Sequence, residues 1–252
     1  MARFFKKRGE SKGLAPGQLV FIGEKKVEEI GVHLFDYDAE QLTEEDISEL
    51  SEARDAVDSK SVSWVNINGL HDTASIRAIG EALNLHPLLL EDVLNTGQRP
   101  KLELYDDVVF LVVKMLRFDK KKKLVIAEQL SMVLGSTFVL TFQEQPGDVF
   151  ESVRNRIRNS QGRIRMSGVD YLAFALLDAV VDNYIEIVER LGAHAEHVEF
   201  DVLGLGAQAF DDVDVVVDHG VEQREREVIY AVHADPALAV ADAVAHLFVI
   251  HT

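Results

Sequence analysis

Glu91 and Asp92 stand side by side at the end of an apolar run, within His86-Pro87-Leu88-Leu89-Leu90-Glu91-Asp92-Val93-Leu94-Asn95-Thr96-Gly97-Gln98-Arg99-Pro100-Lys101. Carboxylates at this spacing can serve a hard cation such as Mg2+, which takes six oxygens at about 2.0–2.1 Å and gives up its waters reluctantly. Successive helical residues diverge by about 100°, so the two side chains cannot readily chelate one ion. One would ligate it while its neighbour serves another position, with water completing the shell. The same pair also fits a solvated helix face. Asp178 falls in register with Phe174 and Val181, inside an apolar stripe. A buried carboxylate there needs a cation, a donor or a proton, so it calls either for a metal or for an Arg partner such as Arg154 or Arg158. His194, His197 and Asp201 lie at i, i+3 and i+7 on one helix face. That donor set suits Zn2+ or Co2+, which accept imidazole.

The elements that must position these groups follow from periodicity. Leu19 to Ile22, Val32 to Phe35 and Val62 to Asn68 read as strands, the last contacted on both faces. Glu44 to Asp55 reads as an amphipathic helix. Thr73 to Asn84 reads as another, with Ile76, Ile79, Ala82 and Leu83 on one face. Pro87 suits the first turn of the helix that carries Glu91 and Asp92, and Gly97 and Pro100 stop it. Four extended runs follow, at Lys101–Leu104, Val108–Arg117, Leu124–Leu134 and Thr137–Phe142. Polar turns separate them, which predicts antiparallel hairpins at one end of a mixed sheet. Asp148 is expected to cap a helix reaching about Ser160. A long helix begins near Ser167, with one apolar stripe through Tyr171, Phe174, Val181, Ile185 and Val188 and a second through Leu172, Leu176, Ala179, Ile187 and Leu191. Two apolar stripes call for packing on two sides.

Composition narrows the chemistry. The 252 residues include 47% apolar side chains, enough for a real core, and a net charge of −17. Nucleic acid and anionic lipid need a basic face, so neither is an expected partner; cations are. There is no cysteine, which rules out disulfides and thiolate metal sites. No signal peptide follows the basic cluster of Arg3, Lys6, Lys7 and Arg8. A membrane span needs about 20 mostly apolar residues. Val108–Val113 is far shorter, and Ala237–Ile250 is broken by Asp242 and His246, so the chain as given reads as soluble. It carries no Gly-x-x-x-x-Gly-Lys loop, Gly-x-Ser-x-Gly elbow or His-Glu-x-x-His pair, and an enzyme is not expected. Residues 199–252 change character, with 11 acidic residues against 2 basic ones. Two domains are expected, 1–165 and 166–252.

The segment His86 to Lys101 resembles the His-Pro-Leu-x-Leu-Glu-Asp-x-Leu-Asn-x-x-Gln-Arg-Pro-Lys stretch of the CorA-type magnesium/cobalt transporters. Trp64-Val65-Asn66-Ile67-Asn68-Gly69-Leu70-His71 is similar to that family's Trp-Ile-Asn-Ile-x-Gly-x-His element. Phe110 to Met115, Glu128 to Ser131, Phe142 to Glu144, Gly147 to Phe150, Arg156 to Arg158, Asp170 to Leu172 and Leu176 to Asp182 continue it in order. The resemblance covers roughly residues 60–200. It implies an α/β fold, a mixed β-sheet in an α/β/α sandwich, followed by a C-terminal helical, funnel-type region. It also implies a homo-oligomer, a pentamer in the full-length protein, on the cytoplasmic face of the membrane, gated by sensed Mg2+ or Co2+. The residue matching Asp92 would bind a cation against a carboxylate from the neighbouring subunit's long helix, while Glu91 and Asp178 match a second, nearby site.

Beyond about residue 202 the pattern departs. The Gly-Met-Asn signature and two membrane spans of the family have no counterpart here, so the chain is expected to be a cytosolic part that meets the membrane only through spans it lacks. Asp214-Val215-Val216-Val217-Asp218-His219 resembles the Asp-x-x-Asp-His of the long helix with its spacing off by one, making Asp214 and Asp218 candidate partners for Asp92. Gly97 stands where some members carry a histidine. Two other readings remain open: a soluble divalent-cation-binding module that reuses the fold, and a zinc transporter domain of the related ZntB type, which the His194/His197 face favours.

Overall fold

A computed structural model describes residues 13, 15–47, 50–57, 60–105, 107–119 and 124–202. Along the chain come β1 (Gly31–Tyr37), β2 (Leu42–Asp46), α1 (Leu50–Val57), β3 (Val62–Asn68), α2 (Thr73–Ala82) and α3 (Pro87–Leu94). Then follow β4 (Lys101–Tyr105), β5 (Val108–Asp119), β6 (Leu124–Leu134), β7 (Phe138–Gln143), α4 (Glu151–Arg158) and α5 (Val169–Val202). The strands form one mixed sheet in the order β2-β1-β3-β7-β6-β5-β4. β3 pairs antiparallel with β1 and parallel with β7, and its five central residues are all buried. Covered on both faces, the strand buries Ser63 and Asn66 beside Trp64, Val65 and Ile67, and both polar side chains are hydrogen-bonded, Ser63 to Asp36 and Asn66 to Thr141.

Neighbouring residues of β3 point to opposite faces and meet different partners. On one side Val65 and Ile67 join Leu140 and Phe142 of β7, Ile76 and Ile79 of α2, and Leu89, Val93 and Leu94 of α3 in the main apolar core. On the other, Trp64 stacks on Phe35 and meets Phe150 edge-on. Helices therefore cover both faces of the sheet, the sandwich expected from sequence. Leu172 and Leu176 at the start of α5 are buried as well.

Local signals explain how the helices begin and meet. Asp72 accepts the Ala74 N–H at 3.0 Å and opens α2. Gly80 lets α2 approach α3, since a Cβ there would stand 2.2 Å from Leu90 Cδ1. His86 Nδ1 accepts the Leu88 N–H at 3.2 Å, and Pro87 opens α3.

Several sequence expectations are corrected. Residues 44–55 form no single helix. They split into β2 and α1, because Glu44 and Asp46 of β2 reach His33 across the β1 pairing and Glu44 also binds Arg158 at 2.6 Å. Cross-strand and tertiary partners override the helix preference of glutamate. Leu19 to Ile22 makes only an isolated bridge, with Ile22 N–H on Leu94 O and Thr96 N–H on Ile22 O. Its neighbour is a helix end, which cannot extend a ladder. Asp148 does not cap α4; Phe150 holds that position without a side-chain bond. The stripe through Phe174, Ile185 and Val188 is exposed, and Asp178 on it is exposed too.

By its internal contacts the chain divides into two units. Among the described residues, the first comprises those within 1–115 and 127–176, the second those within 116–126 and 177–202. In the second, Arg190 sits over the Phe118 ring at 5.5 Å and pairs with Glu186 at 2.7 Å. Among the described residues no helix is long and apolar enough to cross a membrane.

Candidate metal centre

α3 is anchored by Leu89, Leu90, Val93 and Leu94, all buried. That leaves Glu91 and Asp92 on its rim, each only partly covered. The angular divergence expected from helix geometry separates their partners. Glu91 Oε2 accepts the Gly17 N–H at 2.9 Å, where the N-terminal segment passes with Gly17 at φ +81°. Asp92 faces the other way. Its Oδ2 lies 2.6 Å from Lys101 Nζ, and its Oδ1 accepts from the Gln98 side chain.

Lys101, Glu103 and Tyr105 alternate on one side of β4, the strand that returns beside α3. Lys101 Nζ also lies 2.9 Å from Glu103 Oε2, and the Tyr105 hydroxyl donates to that same oxygen at 2.9 Å. The ammonium sits 5.6 Å from the centroid of the buried Phe110 ring. The connection between α3 and β4 is pinned. Gln98 N–H donates to Gln129 Oε1 at 3.1 Å, Gln129 Nε2 reaches Asp92 O, and Lys114 Nζ donates to Thr96 O at 3.2 Å.

The electrostatics of this group are unbalanced. Burial holds the Asp92 carboxyl above its ordinary value; Lys101 pulls it down, but Glu103 and Glu91 push it up again. Glu103 is held low by its bond to Lys101. Lys101 itself is disfavoured by burial, yet the two carboxylates keep it above the usual lysine value. Two carboxylates, Asp92 and Glu103, thus share the Lys101 ammonium, and the charge of Glu91 acts on Asp92 as well. Oxygen donors of this kind, partly exposed and short of positive charge, fit a hard dication with retained water. Among the described residues, no three His, Asp or Glu are grouped so as to hold a metal by themselves.

The other sequence candidates fall elsewhere. Asp178 belongs to the second unit and is exposed, so the premise of a buried carboxylate is overturned. The arginines named as its partners pair differently: Arg154 with Asp148 at 2.5 Å, Arg158 with Glu44 and Glu151. His194, His197 and Asp201 lie on the backbone of α5, but their side chains are outside the described residues, as are Asp214 and Asp218. Gln98, Lys101 and Glu103 had no role in the sequence reading. The signal was present in Lys101-x-Glu103-x-Tyr105, whose period of two sets all three on one face of a strand.

Comparison with known proteins bears on the family and the fold. A family model described as CorA-like Mg2+ transporter protein matches residues 59–219. The cobalt/magnesium transport protein CorA of Thermotoga maritima is 36% identical over 228 residues, which is 90% of this chain. The chain spans 60% of that relative's length. Two solved structures share the fold. A full-length CmaX protein gives a TM-score of 0.58 at 11% identity, over 74% of this chain and 56% of that one. The CorA magnesium transporter from Methanocaldococcus jannaschii gives 0.51 at 14% identity, over 70% and 52%. With more than half of its length under the family model, this chain belongs to the CorA-like Mg2+ transporter family.

Proposed function

We propose that this chain is the cytosolic regulatory part of a divalent-cation transporter, with residues 1–165 sensing the ion and residues 166–252 leading toward the membrane. Mg2+ or Co2+ is the cation, and the full protein works as a homo-oligomer, a pentamer by family resemblance. The observation that carries this reading is the Asp92 carboxyl at the rim of α3, which shares the Lys101 ammonium with Glu103 and is still raised by burial and by the charges of Glu103 and Glu91. Asp92 provides the first ligand and Glu91 a neighbouring one. Asp214 and Asp218 are the candidate carboxylates from an adjacent copy's helical region, and Asp178 is kept, with Glu91, as a candidate for a second site. A bound dication cancels repulsion between acidic subunits, each at −17, and so favours the closed assembly. Ion loss and ring loosening then form one equilibrium, biased by metal.

Calorimetry of the 252-residue chain with Mg2+, Co2+ and Zn2+ tests the proposal. Wild type is expected to bind Mg2+ or Co2+, and Asp92→Ala to lose at least about tenfold in affinity, one charged contact's worth. Tight Zn2+ binding that survives Asp92→Ala and vanishes on replacing His194 and His197 would transfer the protein to the zinc reading. Mg2+ binding by a chain whose association state ignores the ion would favour a soluble cation-binding module.

A further inference from the structure

The sensing site, as proposed, already holds a cation of its own. Lys101 Nζ lies between Asp92 Oδ2 at 2.6 Å and Glu103 Oε2 at 2.9 Å, the place from which an incoming ion would address both carboxylates. We infer that Lys101 is a tethered competitor that sets the cation threshold of the site and its preference for divalent over monovalent ions. This rests on the sensor reading of Asp92.

The geometry keeps the competitor in position. Lys101 opens β4, and its backbone is paired in register with Val112 of β5. Its ammonium rests over Phe110, a cation–π contact that favours this placement. Tyr105 fixes Glu103 from the far side, and Gln98 occupies the remaining oxygen of Asp92. Yet Lys101 and Asp92 keep 24% and 20% of their side chains in water, so the pair can open without unfolding its surroundings.

Tethering makes the ammonium a strong rival for ions of equal charge. A group held on a short flexible stem acts at an effective concentration of about millimolar or above. Free K+ or Na+ brings the same single charge and must be held by the carboxylates as a separate particle. A dication brings twice the charge and can bind through retained waters. It displaces the ammonium, whose four-carbon stem lets it swing to solvent. The carboxylates supply attraction, and the lysine supplies the discrimination.

The test is titration calorimetry of the whole chain with Mg2+ and with Co2+, comparing wild type, Lys101→Gln and Lys101→Arg. Removing the charge should tighten dication binding about tenfold, the size of a screened interaction between near neighbours. Arginine, whose planar fork holds a carboxylate by two bonds, should weaken it below wild type. Thermal melting in KCl against tetramethylammonium chloride at equal ionic strength reads the second half of the claim. Lys101→Gln should gain stability specifically from K+, and wild type should not. Equal dication affinity in all three proteins, or weaker binding by Lys101→Gln, overturns the role of Lys101 while leaving the sensor reading in place. If the Gln variant fails to fold, the Arg variant against wild type still decides. Absence of binding by every protein overturns the sensor reading and this inference with it.

Discussion

Two ion pairs in the first unit use the same chemistry to opposite ends. Asp148 and Arg154 keep only 5% and 13% of their side chains in water, and the guanidinium grips both carboxylate oxygens, at 2.7 and 2.5 Å. The Phe150 N–H and the Gln143 amide also donate to Asp148, and Gln143 joins Asn66, Thr141 and Trp64 in a buried polar chain. Burial alone would raise the Asp148 carboxyl, but these donors outweigh it and hold the group below its ordinary value. Asp92 also has a cation, at 2.6 Å, yet its carboxyl stands above the ordinary value, because burial and two neighbouring carboxylates exceed what Lys101 provides. A fully satisfied pair fixes structure. An under-satisfied one at a rim is disposed to accept another ion.

The largest expected effect separates the two. Arg154→Ala leaves Asp148 buried without its partner, at a cost of about 3–5 kcal/mol. Lys101→Gln, at a partly exposed pair, should cost no more than about 1 kcal/mol without dications. Urea unfolding of both variants in EDTA measures this. Similar losses would mean that the Lys101 pair is structural too, and the contrast would fail.

A medium effect probes how α3 holds Asp92 in place. Gly80→Ala would set a Cβ 2.2 Å from Leu90 Cδ1, and overpacking of this kind costs about 1–3 kcal/mol. Because Leu90 immediately precedes Glu91, the strain should also alter cation affinity at Asp92. The Asp148–Arg154 pair, on the other face of the sheet, should not respond. Calorimetry beside unfolding separates the two readouts. Unchanged affinity in a destabilised variant would show that the site tolerates displacement of its helix.

How much of this was legible in the chain depends on the range of the forces involved. β3 through β7 and α2 and α3 could be read because their signals are local: extended runs bounded by polar turns, apolar residues at helical spacing, Pro87 at a helix start, Gly97 and Pro100 beyond the end. The Glu44 region could not, since its preference is decided by His33 and Arg158, the latter 114 residues away. Asp178 misled because register with Phe174 and Val181 identifies a shared face but not whether anything covers it. Glu91 and Asp92 were visible as a pair, whereas Lys101 was visible only as part of a motif. Its role depends on β4 returning to α3, which no spacing rule states.

The smallest effect bears most directly on the comparison, through pH. The folded Asp92 carboxyl is raised, so its neutral form is the one the fold favours. Its contribution is fully present below the ordinary aspartate value of about 3.9 and is lost as pH rises through the higher folded value. Asp92→Asn cannot ionise, so in EDTA it should melt above wild type at pH 7, by about 2 °C, with the gap closing toward pH 4. Asp148 has the reverse sign. Its stabilisation is present above about 3.9 and disappears as pH falls through the lowered folded value, so Asp148→Asn should be weaker than wild type at pH 7, with the gap closing under acid. Millimolar Mg2+ then supplies the cross-check. Wild type should gain stability by binding the ion, while Asp92→Asn should not, which reverses their order at neutral pH. An Asp92→Asn protein that is weaker than wild type in EDTA at pH 7 would show that Lys101 fully satisfies the carboxylate. Asp92 would then be a second Asp148, with no deficit of charge for a dication to fill.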